Sequence, residues 1–134
     1  MKIKNQIFDK GSKVKVPNII EIENFDHPIF CFKHLHKDFD LERCNDEEKA
    51  ALIEQIVRLS KLSWQHIQFT SRKGMGTEKI SINSIKASIP AVVTEDITDL
   101  LALRFLGNAP FVGLRNRFVF HVIYIDRAFT LYNH

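Results

Sequence analysis

Side chains capable of acid–base and phosphate chemistry are concentrated in the last third of the chain. Between Leu100 and His134, three apolar runs are separated by turn-forming residues, and cationic or aromatic polar residues interrupt or follow each run. These residues are Arg104, Arg115, Arg117, His121, Arg127, Tyr132 and His134. Guanidinium groups hold phosphates with planar pairs of N–H donors, and imidazole exchanges protons near neutral pH. The segment therefore predicts either a sheet that carries phosphate-binding chemistry or an ordinary sheet.

The distribution of charge adds to this prediction. The net charge is only +3, from 19 Lys and Arg against 16 Asp and Glu, which is too small to identify a nucleic-acid-binding protein by itself. From Leu100 onward, however, four arginines stand against the single acid Asp126, and a second basic pair opens the segment RKGMGTEK. A shared cationic face would suit an anionic backbone, and an ordinary charged surface is an equal alternative. The residues predicted to contact substrate are Arg72, Lys73, Arg104 and Arg117.

Length and composition predict one globular domain over residues 1–134, with a strand-rich extension at 1–40 and a helix-plus-sheet core at 45–134. The chain has 134 residues and 45% hydrophobic content, enough for one core. It contains no apolar run near the roughly 18 residues that span a bilayer, and MKIKNQIF is unlike a signal peptide. We therefore expect a cytoplasmic protein with no membrane partner, in which Cys31 and Cys44 are reduced.

A histidine-rich segment offers a possible metal site. His34, His36 and Asp38 would project from one face if the segment were a strand, and imidazole nitrogen with carboxylate oxygen can bind zinc. A solvated polar loop is the favoured interpretation, because HxH occurs readily without a metal. We predict no metal and no other cofactor.

Two helices are expected to precede the C-terminal sheet. Asn45 with Glu48 three residues later forms a capping-box pattern, which predicts a helix at 46–60. Ser63 can cap a shorter helix at 64–69. The apolar residues at helical spacing, expected to face inward, are Leu52, Ile53, Ile56, Val57, Leu59, Trp64, Ile67 and Phe69.

Alternation and turn signals predict the strands. Short N-terminal strands are expected at 13–16, 19–25 and 29–35. Near the C-terminus, Gly107-Asn108 and Asn116 are turn signals, so the last apolar runs should form an antiparallel meander of about three strands. In the final strand, Val119, His121, Ile123 and Ile125 are expected on one face, which places His121 among aliphatic side chains. The predicted fold class is α+β, with one or two helices packed on this meander.

This order of elements, ending in LRFLGNAPFVGLRNRFVFHVIYIDRAFTLYNH, resembles the RelE/ParE-type toxin superfamily of small prokaryotic proteins. The resemblance covers roughly the last quarter of the chain and is supported by the helix at 46–60. It implies a compact α+β domain that is often paired with an antitoxin and that cleaves mRNA on the ribosome or inhibits another target. The first 35 residues have no counterpart in the minimal family. The family's usual arginine in the strand before the last would fall near Pro110 or Phe111, so either Arg104 or Arg115 takes that role or the role is absent.

The resemblance also implies roles for individual residues in a metal-independent endoribonuclease. His134 or His121 would act as base or acid, and Tyr132 would position the substrate or donate a proton to it. Arg115 and Arg127 would hold the phosphate. Two other functions remain open from the sequence. One is a non-catalytic intracellular binding module, such as a phage-encoded inhibitor or a defence-system accessory protein, and the other is a metal-dependent hydrolase that uses His34, His36 and Asp38.

Overall fold

A computed structural model describes residues 26–70 and 76–133, and these form an α+β fold with one mixed sheet. Its strands are β1 (Ile29–Cys31), β2 (Glu78–Ser81), β3 (Asp99–Leu106), β4 (Ala109–Asn116) and β5 (Val119–Ile125), and its helices are α1 (Asp46–Ser60) and α2 (Trp64–Phe69). Single 3₁₀ turns lie at Leu41–Arg43 and Ile82–Ser84. The strand order is β1-β5-β4-β3-β2, with β1 parallel to β5 and the other neighbours antiparallel. The predicted α+β class is confirmed.

Helix α1 begins where the capping pattern predicted. The Asn45 side-chain oxygen accepts from the Glu48 backbone N–H at 2.8 Å, and the Glu48 carboxylate accepts from the Asn45 N–H at 2.8 Å. Leu52 and Leu59 are buried, whereas Ile53 and Val57 are 53% and 49% exposed, so their predicted inward orientation is wrong. Successive helical residues are about 100° apart, and the sheet covers only the arc around Leu52 and Leu59.

Helix α2 follows after a short turn and is capped by Ser63, whose hydroxyl oxygen accepts from the His66 N–H at 3.0 Å. Trp64 and Ile67 are buried as predicted. Phe69 is 79% exposed, so its predicted inward orientation is wrong. It follows Ile67 by about 200° around the helix axis and therefore points away from the core.

Strands β3, β4 and β5 form the predicted meander. Two-residue turns at Gly107-Asn108 and Arg117-Phe118 join them, and both Gly107 and Arg117 have a φ near 60°. Strand β2 extends the sheet beside β3 and begins at Glu78. At the opposite edge, the parallel partner β1 pairs Cys31 with His121.

A β-bulge in β5 changes which residues share a face. Val112 pairs with Tyr124 and Gly113 pairs with Val122, so Ile123 is an extra residue on β5. As a result Ile125 packs on the helix side with Phe120 and Val122, whereas Ile123 and Tyr124 pack on the other side. The predicted alternation therefore holds as far as Ile123 and is wrong for Tyr124 and Ile125.

Strand β1 is shorter than predicted. It ends at Cys31, and a turn at Lys33-His34 replaces the expected continuation to Leu35. The bulge in β5 interrupts the edge on which a longer parallel strand would have to pair. The predicted strands at 13–16 and 19–25 lie outside the described residues.

Each face of the sheet carries its own apolar cluster. Helices α1 and α2 cover one face, around Leu103, Phe111 and Phe120. The other face is covered largely by the segment 82–98, whose apolar side chains contact Tyr124 and its neighbours. Backbone bonds from Ile82 to Thr98 (2.9 Å) and from Lys86 to Leu131 (2.7 Å) hold this segment. Within the described ranges, neither helix has the length and hydropathy that crossing a bilayer requires.

Candidate functional site

Two histidines from different parts of the chain meet on the face of the sheet opposite the helices. His121 lies on β5 beside Cys31 of β1, and the turn that follows β1 brings His34 over it. The centroids of the two imidazole rings are 5.7 Å apart, and the ring planes are inclined by 59°. Both side chains are partly exposed. The pair could therefore exchange protons with a bound substrate.

The environment of His121 disfavours its charged form. Its Nδ1 atom is buried and has no hydrogen-bond partner among the described residues. Burial lowers the pKa of His121 from its ordinary value, and the charge of the neighbouring His34 lowers it further. A buried ring nitrogen without a partner is uncommon and costly, so it requires an explanation. Neutral imidazole near pH 7 suits the role of a general base.

The segment 32–40 is fixed beside β5 and supplies basic side chains. The His36 N–H donates to the Ile123 carbonyl oxygen at 2.8 Å, and the Ile125 N–H donates to the Phe39 carbonyl oxygen at 2.7 Å. These bonds satisfy the Ile123 carbonyl and the Ile125 N–H of β5, which lie beyond the residues of β5 that pair with β1. Lys33 and Lys37 of the segment are exposed. Two cationic side chains therefore lie close to His34 in sequence, and backbone bonds hold their segment in place.

The predicted zinc-binding trio does not converge. His36 Nε2 contacts the Ser88 hydroxyl oxygen at 2.8 Å, and His36 Nδ1 accepts from the Asp38 N–H at 3.1 Å. Asp38 forms an exposed ion pair with Arg43 at 3.3 Å. The turn geometry separates these groups, because only an extended strand would align alternate side chains on one face. Among the residues that the structure describes, no group of three or more His, Cys, Asp or Glu side chains is arranged to hold a metal ion.

Arg115 lies on the helix side of the sheet. Its guanidinium carbon is 4.2 Å from the centroid of the Trp64 ring, and its Nε donates to the Arg117 carbonyl oxygen at 2.6 Å. The Trp64 indole N–H donates to the Phe118 carbonyl oxygen at 3.0 Å, which fixes the ring beneath the guanidinium. Arg117 itself is an exposed turn residue. The structure therefore does not bring Arg115 together with His121.

Arg104 and Tyr132 do meet, but inside the protein. Arg104 is 7% exposed and forms an ion pair with Glu78. One of its terminal nitrogens donates to the Asn108 carbonyl oxygen at 3.0 Å and to the Tyr132 hydroxyl oxygen at 3.4 Å. Burial raises the pKa of Tyr132, so its hydroxyl keeps its proton at neutral pH. This network ties β2, β3 and the C-terminal segment together and offers little surface to a substrate.

Arg127 follows β5 and is engaged by a carboxylate. Its Nε donates to Glu48 at 2.7 Å, and this bond, with the Asn45 N–H, holds the pKa of Glu48 below its ordinary value. Arg127 also lines a cavity of about 320 Å³ together with Arg43, Asp38 and Asp126. The charges of these four residues balance, so this cavity has no clear preference for a phosphate.

The predicted site residues thus lie at separate places. Arg72, Lys73 and His134 are outside the described residues. From the sequence, His34 is predicted only as a metal ligand, and Lys33 and Lys37 are not among the predicted site residues, although the run KHLHK concentrates cationic and proton-transferring side chains. No match to the chain was found among protein-family models, curated proteins or solved structures.

Proposed function

We propose that this protein is a metal-independent endoribonuclease of the RelE/ParE toxin class, with His34 and His121 as its proton-transfer groups. The observation that carries the proposal is the approach of the two imidazole rings to 5.7 Å. Support also comes from the α+β arrangement, in which helices pack on an antiparallel meander. The proposal keeps the reaction that the family resemblance implied and moves its centre from the C-terminal residues to this pair.

The chemistry needs a base, an acid and cations. His121 takes the proton of the 2′-hydroxyl, whose oxygen attacks the adjacent phosphorus. His34 gives a proton to the leaving 5′-oxygen, so the products are a 2′,3′-cyclic phosphate and a free 5′-hydroxyl. Because Nδ1 of His121 is buried, Nε2 is the nitrogen that remains for this transfer. Lys33 and Lys37 are the nearest lysines in sequence to His34 and would offset charge that develops on the phosphate.

The test is cleavage of mRNA by the purified chain, with and without ribosomes, in the presence of EDTA. His34→Asn and His121→Asn should each lower the cleavage rate by about 100-fold or more, which is typical of losing one proton-transfer group. His66→Asn is the matched control, because His66 is exposed on α2 and its hydrogen bond to Ser63 uses only its backbone. Thermal unfolding of every variant separates loss of chemistry from loss of folding.

A double variant, Arg127→Ala with His134→Ala, distinguishes the two possible locations of the site. If the double variant loses cleavage while both single histidine variants keep it, the C-terminal assignment is right and the His34–His121 assignment is wrong. If the wild type cleaves no RNA under any of these conditions, the ribonuclease proposal fails.

A second candidate is a non-catalytic binding module, which the exposed apolar side chains Ile53 and Val57 on α1 favour. Growth arrest on induction of the gene is common to both candidates and therefore does not separate them. Arrest that persists in the His34→Asn and His121→Asn variants but disappears in Ile53→Asp would favour binding. Arrest that depends on the histidines, and that a co-expressed antitoxin relieves, would favour the ribonuclease.

A further inference from the structure

We infer that two copies of this chain associate through the outer face of α1, with their helices antiparallel about a twofold axis. The outer face is the solvent side of α1 and is formed by Glu47, Ile53, Glu54, Val57, Arg58 and Lys61. This inference is independent of the proposed ribonuclease activity, because α1 packs on the face of the sheet opposite the His34–His121 pair.

An apolar centre marks this face. Ile53 and Val57 are one helical turn apart and are 53% and 49% exposed. A groove of about 600 Å³ lies beside them and is lined by Ile53, Glu54, Val57, Arg58, Lys61 and Leu62. Aliphatic side chains of this size are normally placed toward the core of an amphipathic helix. Their position here leaves a groove of the right size to receive aliphatic side chains from another helix.

The order of charges on the helix selects a second copy as the occupant. Glu47 lies in its first turn and Glu54 near its middle, and the bases Arg58 and Lys61 follow at its C-terminal end. An antiparallel copy that brings Ile53 against Val57 also brings Glu54 against Arg58 and Glu47 against Lys61. A parallel copy would place like charges opposite one another. The face is therefore complementary to itself in one orientation.

These charged groups are available for such contacts. Among the described residues, Glu54 makes no ion pair, although Arg58 stands one helical turn after it on the same helix. Arg58 donates one N–H to Gln55, and its other donors make no hydrogen bond within the described ranges. An ion pair across the helix pair would use groups that are exposed in the part of the chain that the structure describes.

The expected complex is weak. A helix of this length is about 22 Å long, and two such faces bury an area toward the lower end of specific interfaces. We therefore expect a dissociation constant for the dimer on the order of micromolar or higher. The association should be visible as a monomer–dimer equilibrium that depends on protein concentration.

Sedimentation equilibrium of the full chain over a range of concentrations tests the inference. The wild type should show a monomer–dimer equilibrium. Ile53→Asp should raise the dissociation constant by about 100-fold, because the substitution is present in both chains and each dimer loses two apolar contacts. Leu106→Asp is the control, since Leu106 is also exposed but lies at the end of β3. A wild type that stays monomeric, or an Ile53→Asp variant that dimerises as well as the wild type, would overturn the inference.

Charge reversal tests the antiparallel orientation separately. Glu54→Lys and Arg58→Glu should each weaken the dimer, because each places like charges opposite one another. The two changes together in one chain should restore association, since every contact then joins opposite charges again. If the combined variant is weaker than both single variants, the antiparallel pairing is wrong.

Discussion

The side chains of Arg115 and His121 lie on opposite faces of the sheet, although their strands are neighbours in one hairpin. In the β4–β5 ladder, Arg115 pairs with Phe120 and His121 pairs with Leu114. Consecutive residues of a strand point in opposite directions, so each pair occupies a different side. The guanidinium of Arg115 then rests on Trp64. A single phosphate could not be held by both residues in this arrangement.

Replacing Arg115 should therefore affect stability more than chemistry. We expect Arg115→Gln to lower the free energy of unfolding by about 1 kcal/mol, through loss of the contact with Trp64 and of the bond to the Arg117 carbonyl. RNA cleavage by the folded variant should stay within about twofold of the wild type, well short of a change of one power of ten. Urea unfolding followed by Trp64 fluorescence measures the first quantity. A large loss of cleavage without destabilisation would show that Arg115 takes part in the cleavage reaction.

The lowered pKa of His121 predicts a dependence of stability on pH. In the unfolded chain its pKa is about 6.5. Below that pH the unfolded chain binds a proton that the folded protein binds less readily, so stability should fall as the pH falls through about 6.5. His121→Gln should remove this part of the pH dependence between pH 5 and 8, whereas His66→Gln should keep it. The measurement is the free energy of unfolding at several pH values; identical pH profiles for the wild type and His121→Gln would contradict the assignment.

Gly113 has no space for a side chain. A Cβ atom at this position would overlap the carbonyl oxygen of His121 beside the β-bulge. We expect Gly113→Ala to destabilise the protein by about 3 kcal/mol, because the clash is with backbone that cannot move without breaking the ladder.

Gly107→Ala provides the comparison for this substitution. Gly107 has a φ of +58°, and a Cβ atom added there would meet no atom within 4 Å beyond its chain neighbours, so only backbone strain opposes the alanine. The cost should be about 1 kcal/mol. Thermal unfolding of both variants checks the ranking, and an equal or larger effect at Gly107 would show that the bulge relaxes.

The ion pair between Glu48 and Arg127 should contribute to stability only where Glu48 is ionised. The bond from Arg127 holds its pKa below the ordinary value, so its contribution is present above the unfolded pKa of about 4.3 and is lost as the pH falls through the folded pKa. Glu48→Gln can still accept the Asn45 N–H but has no charge to pair with Arg127. The wild type should therefore lose more stability than Glu48→Gln when the pH is lowered from 6 to 3.

Asn45→Ala separates helix capping from this ion pair. It removes the acceptor for the Glu48 N–H and should cost about 1 kcal/mol near neutral pH. The acid-dependent loss should persist in this variant, because the Arg127–Glu48 bond remains. Unfolding in urea at pH 6 and pH 3 measures both effects; loss of the acid dependence in Asn45→Ala would show that the cap, and not the charge, controls the titration.

The sequence by itself determined the elements that depend on neighbouring residues. The capping pair Asn45 and Glu48 and the cap Ser63 predicted where the two helices begin, because each cap bonds within three residues of itself. The turn at Gly107-Asn108 was also predicted, since a left-handed φ favours glycine there. The meander followed, because short connections can join only antiparallel strands.

Tertiary structure alone decided which side chains meet. The extra residue Ile123 moved Tyr124 and Ile125 to faces that strict alternation does not give, and the parallel pairing of β1 with β5 brought His34 to His121. Arg104 forms an ion pair with Glu78 in the interior, whereas the sequence predicted that Arg104 contacts substrate. Bulge position, strand order and partner choice depend on contacts between residues far apart in the chain, and a local pattern of residue types carries no information about them.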